Sequence, residues 1–267
     1  MIETPFNYTG SKFKLLNQIL PNFDYTKSNF VDLFTGGGSI YTNVVDKYQK
    51  VLVNDVISDL IGIHEYLVCG DEIISETKSI CPGKNNALGF MELRNSYNEN
   101  PTPSKLWALM LSSTNNMMRF NQKFKYNQTY GERGWNSNTD VKVERFANHI
   151  RKYKDNLKFI SKSFYDVNIN SSDVMYYCDP PYSNTQAGYN AYWKKDDDDK
   201  LYNYLLNLNK IGASFMISGS INHNGESCKL LNDLISYGFK SKILDFDYNK
   251  VSRVGKKETK EIIIMNY

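Results

Sequence analysis

The sequence predicts an α/β fold: an open, mainly parallel sheet interrupted by a mainly helical insertion. Three stretches carry that expectation. Asn29-Phe30-Val31-Asp32-Leu33-Phe34-Thr35-Gly36-Gly37-Gly38-Ser39, followed by Ile40, Tyr41, Val44 and Val45, reads as strand, glycine loop and helix. Lys50-Val51-Leu52-Val53 reads as a second strand ending at Asn54-Asp55. The apolar run Val174-Met175-Tyr176-Tyr177-Cys178 reads as a buried strand that stops at Asp179-Pro180-Pro181-Tyr182, because two prolines remove backbone donors and fix φ. Asp179 therefore stands at a strand's carboxyl end, where open α/β sheets place their ligands.

Composition narrows the classes. A chain of 267 residues with 41% hydrophobic content can build a core, and its 20 tyrosines leave rings available for stacking. No apolar run approaches the roughly 18–20 residues of a membrane span. Met1-Ile2-Glu3-Thr4-Pro5 lacks the basic start and apolar middle of a signal peptide. Cys69, Cys81, Cys178 and Cys228 are scattered, with no CxxC pair and no histidine at ligand spacing, so neither a metal site nor a disulfide framework is expected. These features fit a reducing cytoplasm. Net charge is only +3, but Arg119 to Lys162 holds 11 Lys/Arg against 4 Asp/Glu. A basic segment interleaved with aromatic residues and Asn favours a nucleic-acid surface.

Taken in order, Phe6-Asn7-Tyr8-Thr9-Gly10-Ser11-Lys12 is a polar turn leading into a helix with Leu15, Leu16, Ile19 and Leu20 on one face, closed by Pro21. A helix start with a lysine suits a carboxylate. The glycine loop at 36–38 departs from the G-x-G-x-x-G of pyrophosphate binders, which suggests a cofactor without pyrophosphate. An acid ending the second strand ~20 residues after such glycines commonly takes ribose hydroxyls. Together with the glycines, Asp55 points to an adenosine-containing cofactor.

From Ile61 to about Lys158 helices are expected at Leu60 to Leu67, Asp71 to Ser79, Phe90 to Tyr97 and Lys105 to Ser113. The stretch Lys123 to Trp135 alternates aromatic and polar residues as a β-hairpin would, and such ribbons enter a major groove where Asn, Gln and Arg read base edges. Val143 to Asn156 reads as a basic helix suited to phosphates. Strand character returns at Phe159 to Phe164. Ser183 to Trp193 reads as a loop that closes over a ligand. The acids of Lys195-Asp196-Asp197-Asp198-Asp199-Lys200 mark a helix N-terminus, the positive end of the dipole. Helices at Leu201 to Leu208 and Cys228 to Tyr237, with strands at Ser214 to Ser218, Ile243 to Tyr248 and Glu261 to Met265, complete the chain.

A rigid Pro-Pro turn that holds a carboxylate, backbone carbonyls and a ring suits one task, gripping a flat, amino-bearing base. Asp179 and the Pro180 carbonyl would accept both amino hydrogens while Tyr182 stacks.

Phe6 to Lys12, Phe30 to Gly38, Asn54-Asp55 and Asp179 to Tyr182, in that order, resemble the motifs of the Dam family, DNA adenine methyltransferases dependent on S-adenosylmethionine. The likeness covers nearly the whole chain and is strongest to the short Dam methylases of phages. Asn116-Met117-Met118-Arg119 with the Gly131-containing ribbon is similar to that family's recognition hairpin; Ser252-Arg253 through Lys257 and Glu261-Ile262-Ile263 are similar to its C-terminal end. The resemblance implies a Rossmann-like catalytic domain at 1–60 and 159–267 with a target-recognition domain at 61–158. It implies Tyr8, Lys12, Asp32, Phe34, Gly36, Gly38, Asp55 and Asp179 as cofactor contacts, and Asp179, Pro180 and Tyr182 as the catalytic group. Expected DNA contacts are Asn116, Met118, Arg119, Asn121, Lys123, Tyr126, Asn127, Gln128, Thr129 and Arg133.

The implied reaction moves a methyl group from S-adenosylmethionine to the N6 amino group of a flipped adenine in duplex DNA, releasing S-adenosylhomocysteine, without a metal. Relatives that act on GATC often carry Pro-Phe-Gly where this chain has Thr129-Tyr130-Gly131, so GATC and related short sites both stay open. RNA adenine methylation is the alternative, though methyltransferases of RNA or of protein glutamine usually begin the tetrapeptide with Asn and lack the insertion. A non-catalytic DNA binder would not need Asp179 or the glycines. The implied protein acts on double-stranded DNA in the cytoplasm of a bacterial or phage-infected cell, as a monomer or weak dimer, with a cognate restriction endonuclease as a compatible partner.

Overall fold

Every expected strand carries apolar residues on both of its faces, the pattern of a sheet covered on both sides. The computed structural model describes residues 1–6, 8–181, 192–223, 226–245 and 259–267. Strands β1 (Asn29–Asp32), β2 (Lys50–Asn54), β3 (Leu157–Ile160), β4 (Val174–Cys178), β5 (Ser214–His223), β6 (Glu226–Ser227), β7 (Lys240–Leu244) and β8 (Thr259–Met265) form one sheet in the order β3-β2-β1-β4-β5-β8-β7, with β6 paired to β5. The first five strands run parallel, and β8 lies antiparallel between β5 and β7.

Alternation splits the core. Phe30, Val51, Val53, Met175, Tyr177 and Met216 face one layer, where Leu60, Trp107 and Phe146 complete the packing. Val31, Leu33, Tyr176, Cys178, Phe215 and Ile217 face the other, against Leu201, Leu205 and Leu234. The second layer consists of α8 (Asp197–Lys210) and α9 (Lys229–Tyr237). The acidic run begins α8 as expected, with Asp197, Asp198 and Asp199 in its first turn.

The first layer holds α1 (Leu16–Ile19), α2 (Ser39–Val44), α3 (Ser58–Cys69), α4 (Glu72–Ile80), α5 (Ala87–Glu99), α6 (Pro103–Ser112) and α7 (Ser137–Ile150). Local chemistry sets where these start. Thr102 caps α6 with Pro103 in the first turn, and the Asn136 carboxamide accepts from the Asn138 and Thr139 amides at the start of α7. The buried side chains of α3, α6 and α7 are continuous with those of the sheet, so the inserted helices share its core.

Three expectations need correction. The N-terminal helix is broken into 3-10 turns at Lys12–Leu15 and Leu20–Asn22 flanking α1, and Pro21 sits inside the second turn rather than closing the helix. The Lys123 to Trp135 ribbon is not a continuous hairpin: its bridges are isolated, Ser113 with Tyr130 and Phe120 with Tyr126. Positive φ at Asn115, Asn116 and Phe124 breaks the pleat. Asn98 on α5 takes the place of a strand, since its carboxamide accepts from the Tyr126 amide at 2.7 Å and donates to the Tyr126 carbonyl at 3.0 Å. Finally, Arg151, expected on phosphates, donates to the Leu67 and Gly70 carbonyls at 3.0 and 2.6 Å, and so caps the end of α3.

Chain order reverses at β1: β2 lies on one side and β4 on the other. The crevice beyond the carboxyl ends of β1 and β4 is the topological switch point, and both motif-bearing loops open into it.

Candidate active site

The loops that follow β1, β2 and β4 converge with the N-terminal turn on one cleft, lined by all eight expected cofactor contacts: Tyr8, Lys12, Asp32, Phe34, Gly36, Gly38, Asp55 and Asp179. Pro180 lines it too. The expected ring of Tyr182 lies outside the described residues, as do Asn7, the loop residues 183–191, Tyr248 and the segment from Ser252 to Lys257.

The glycines make the floor. Gly38 has φ +76°, and a Cβ there would lie 2.6 Å from both the His64 and Tyr41 rings. A Cβ on Gly37 would lie 2.5 Å from Tyr8 Cβ, so the Tyr8 side chain rests directly on bare backbone. The Thr35 amide donates to the Asn54 carbonyl at 2.9 Å, tying the loop to the end of β2.

Asp55 accepts from the Gly36 amide at 2.9 Å and the Ile57 amide at 3.1 Å on its two oxygens, with the Val56 amide also directed at it. It lines the cleft, where a carboxylate suits a vicinal diol. Burial nevertheless pushes its carboxyl upward, with the amide bonds pulling the other way. Asp32 accepts from the Tyr41 amide at 3.2 Å. Its burial, opposed by that bond and reinforced by the charges of Asp179 and Asp55, takes its carboxyl up to about 8.

Asp179 is gripped on both oxygens. Lys12 Nζ lies 2.6 Å from Oδ2, and the Ser218 hydroxyl donates to Oδ1 at 3.0 Å. Lys12 is itself buried, against which the negative charges of Asp179 and Glu261 hold its ammonium protonated. Burial pushes the Asp179 carboxyl up, and the Lys12 ammonium pulls it back. The Ser11 and Ser39 hydroxyls, 2.7 Å apart, join the N-terminal turn to the start of α2.

Several residues in the site carried no sequence signal. His64 on α3 is fully buried; its Nε2 is 2.9 Å from the Gly36 carbonyl and its Nδ1 2.9 Å from the Tyr41 hydroxyl. Burial takes the imidazole down to about 4, so it is neutral, with Nε2–H on the carbonyl and Nδ1 accepting from Tyr41. Phe164 and Trp193 pack on Phe34 at 5.5 and 5.9 Å between ring centres, making an aromatic wall that lines the cleft. Trp193 closes the expected ligand-covering loop, the single hint available from sequence; Phe164 had none.

The expected DNA contacts divide. Arg119, Lys123, Thr129 and Arg133 are exposed on the ribbon, and Asn116 and Asn121 are half-buried. Asn121 Oδ1 accepts from the Lys123 and Lys125 amides at 2.9 and 3.1 Å, closing the tip. Met118, Tyr126 and Gln128 are buried; the Tyr126 hydroxyl bonds Ser113 Oγ at 2.7 Å, so these side chains shape the ribbon from within. Asn127 Oδ1 is buried without a hydrogen-bond partner among the described residues.

Residues 8–251 match the family model of the D12 class N6 adenine-specific DNA methyltransferase. The chain is 31% identical to modification methylase StsI of Streptococcus sanguinis over 288 residues, covering 100% of this chain and 43% of that protein. It is 30% identical to type II methyltransferase M.FokI of Planomicrobium okeanokoites over 281 residues, covering 100% and 43%. The DNA N-6-adenine-methyltransferase of Escherichia phage P1 is 26% identical over 230 residues, 80% of this chain and 29% of that protein. The chain thus spans less than half the length of these three relatives. No helix among the described residues is long and apolar enough to cross a membrane.

Proposed function

Because the chain belongs to the D12 class of N6 adenine-specific DNA methyltransferases, we propose that it methylates the N6 amino group of adenine at a short site in duplex DNA, with S-adenosylmethionine as the donor. The observation that carries this reading is Asp179, held by Lys12 at the rim of a cleft that contains every expected cofactor contact. The residues present fit the donor: a buried acid lining the cleft for a ribose and an aromatic wall for a purine. When bound, S-adenosylmethionine supplies an electrophilic methyl group.

The residues of this chain do the rest by positioning and electrostatics. An adenine inside a duplex hides its amino group, so the base is flipped out at a cost of a few kcal/mol. Asp179 and the Pro180 carbonyl accept the two amino hydrogens. That draws the nitrogen lone pair out of conjugation with the ring and aims it into the cleft. Lys12 neutralises the half-buried Asp179 and can turn to a carboxylate of the donor. Tyr182 stacks on the flipped base.

The exposed side chains of Arg119, Lys123, Thr129 and Arg133 meet DNA, with Asn116 and Asn121 beside them. Asn127, half-buried on the same ribbon, lies beside them. Met118, Tyr126 and Gln128 hold the ribbon's shape. Segments 1–60 and 159–267 serve catalysis and 61–158 recognition. Similarity to type II methylases supports a cognate restriction endonuclease as partner. The reading also has the chain acting in the cytoplasm as a monomer or weak dimer on DNA.

Arg119→Ala is expected to relax site choice, since a bidentate arginine contributes ~1–3 kcal/mol of base discrimination. Methylation rates on a panel of single-base site variants measure it; wild-type discrimination would remove Arg119 from readout. The test of the function is transfer of labelled methyl to two matched duplexes, one with GATC and one with it scrambled, beside the Asp179→Ala protein. Label on the GATC duplex alone supports Dam-type readout. Label on both keeps the chemistry and requires a new target. Label on neither, with an RNA duplex labelled instead, overturns the reading.

A further inference from the structure

Tyr177 and Asp179 are two residues apart at the end of β4, so their side chains share a face. Tyr177 is in register with Met216 on β5, which places Ser218 on that same face, diagonal to Tyr177. The hydrogen bonds follow. Ser218 has one hydroxyl hydrogen and gives it to Asp179 Oδ1 at 3.0 Å. The Tyr177 hydroxyl, 2.7 Å from Ser218 Oγ, must then donate to that oxygen. The relay has one direction: Tyr177 to Ser218 to Asp179. Ser218 is fully buried and does not line the cofactor cleft, so neither ligand binding nor solvation explains its hydroxyl.

With Lys12 on Oδ2 and Ser218 on Oδ1, the carboxylate cannot turn about its Cβ–Cγ bond. Without Ser218 the Lys12 contact becomes a pivot. We propose that Ser218, oriented by Tyr177, is a positioning residue that fixes the plane of the Asp179 carboxylate toward the methyl-accepting nitrogen. The proposal rests on the function given above.

Asp179 is faced by Lys12 from the N-terminal turn, Asp32 from β1, Tyr177 from β4 and Glu261 from β8, while Cys178 adjoins it on the opposite face of the sheet. Of its hydrogen bonds, Ser218 contributes one to the charged form. Losing a bond to the charged form raises a carboxyl's pKa. The acid limb of the rate profile therefore moves to higher pH when Ser218 is removed.

The experiment uses the full chain as wild type, Ser218→Ala and Tyr177→Phe. It measures kcat, KM for S-adenosylmethionine and KM for DNA between pH 5 and 9, with thermal melts as the folding control. Ser218→Ala is expected to lower kcat about 10- to 100-fold, less than the ~10²–10³ of a donor aimed at the reacting atoms, because Ser218 acts through Asp179. Both KM values should stay within about threefold, because Ser218 does not line the cleft and touches neither ligand. The acid limb moves up, and Tyr177→Phe moves it less in the same direction. Wild-type kcat and an unmoved acid limb in Ser218→Ala overturn the proposal, as does a rise in KM alone. If Ser218→Ala does not fold, Tyr177→Phe carries the same two readouts. Titration of the Asp179 carboxyl by carbon NMR in cofactor-free protein needs no activity: an upward shift in Ser218→Ala supports the relay, and no shift overturns it. A wild type that transfers no methyl would fail the function, while this titration still decides the relay.

Discussion

Asp179→Ala is expected to lower methyl transfer by at least about a thousandfold, beyond the 10²–10³ of a single oriented donor, because one side chain both binds and orients the nucleophile. The substitution removes the acceptor for an amino hydrogen. It also leaves the Lys12 ammonium, a buried cation, without its 2.6 Å partner. DNA affinity should stay near wild type, since the exposed ribbon side chains proposed to meet DNA are untouched. Quenched-flow transfer on a saturated duplex measures the loss, and a filter-binding titration checks the affinity. Turnover within tenfold of wild type would take Asp179 out of the mechanism.

Lys12→Met is expected to destabilise the protein by about 3 kcal/mol at neutral pH, the lower end of the cost of breaking a buried pair. The lower end applies because the Asp179 side chain is 20% exposed and keeps its Ser218 bond. The loss should depend on pH. Burial already raises the Asp179 carboxyl, and Glu261 adds to that, while Lys12 is the main opposing charge. Without Lys12 the folded pKa rises further above the unfolded value. A group raised in the folded state contributes its full stability below the unfolded pKa and loses it as pH rises through the folded one. The deficit of Lys12→Met should therefore be small near pH 4 and grow toward pH 8. Urea midpoints for both proteins at pH 4.5 and pH 8 measure it; a deficit equal at both values would mean that Lys12 does not govern the ionisation of Asp179.

How much of this was legible in advance follows from the range of each signal. Strands β1, β2 and β4 and the glycine loop were readable because alternation, apolar runs and proline act over a few residues of chain. The same holds for the acids that open α8. The Lys123 to Trp135 ribbon was half legible: its alternation was visible, but Asn98 from a separate helix replaces the partner strand, and no local pattern marks that contact. Arg151 read as a phosphate contact because its charge is visible in sequence and its carbonyl partners are not. Met118 and Tyr126 read as surface residues because burial depends on what packs above them.

The sequence by itself determined which residues stand at strand ends and in the glycine turn, since covalent spacing and backbone sterics fix these locally. Only the tertiary structure decided that Lys12 meets Asp179 across 167 positions, that Ser218 takes the other oxygen, and that His64 clamps the glycine loop. Those contacts depend on strand order and register. Both are settled by burying two apolar faces of one sheet at once, a condition that no single stretch of the chain contains.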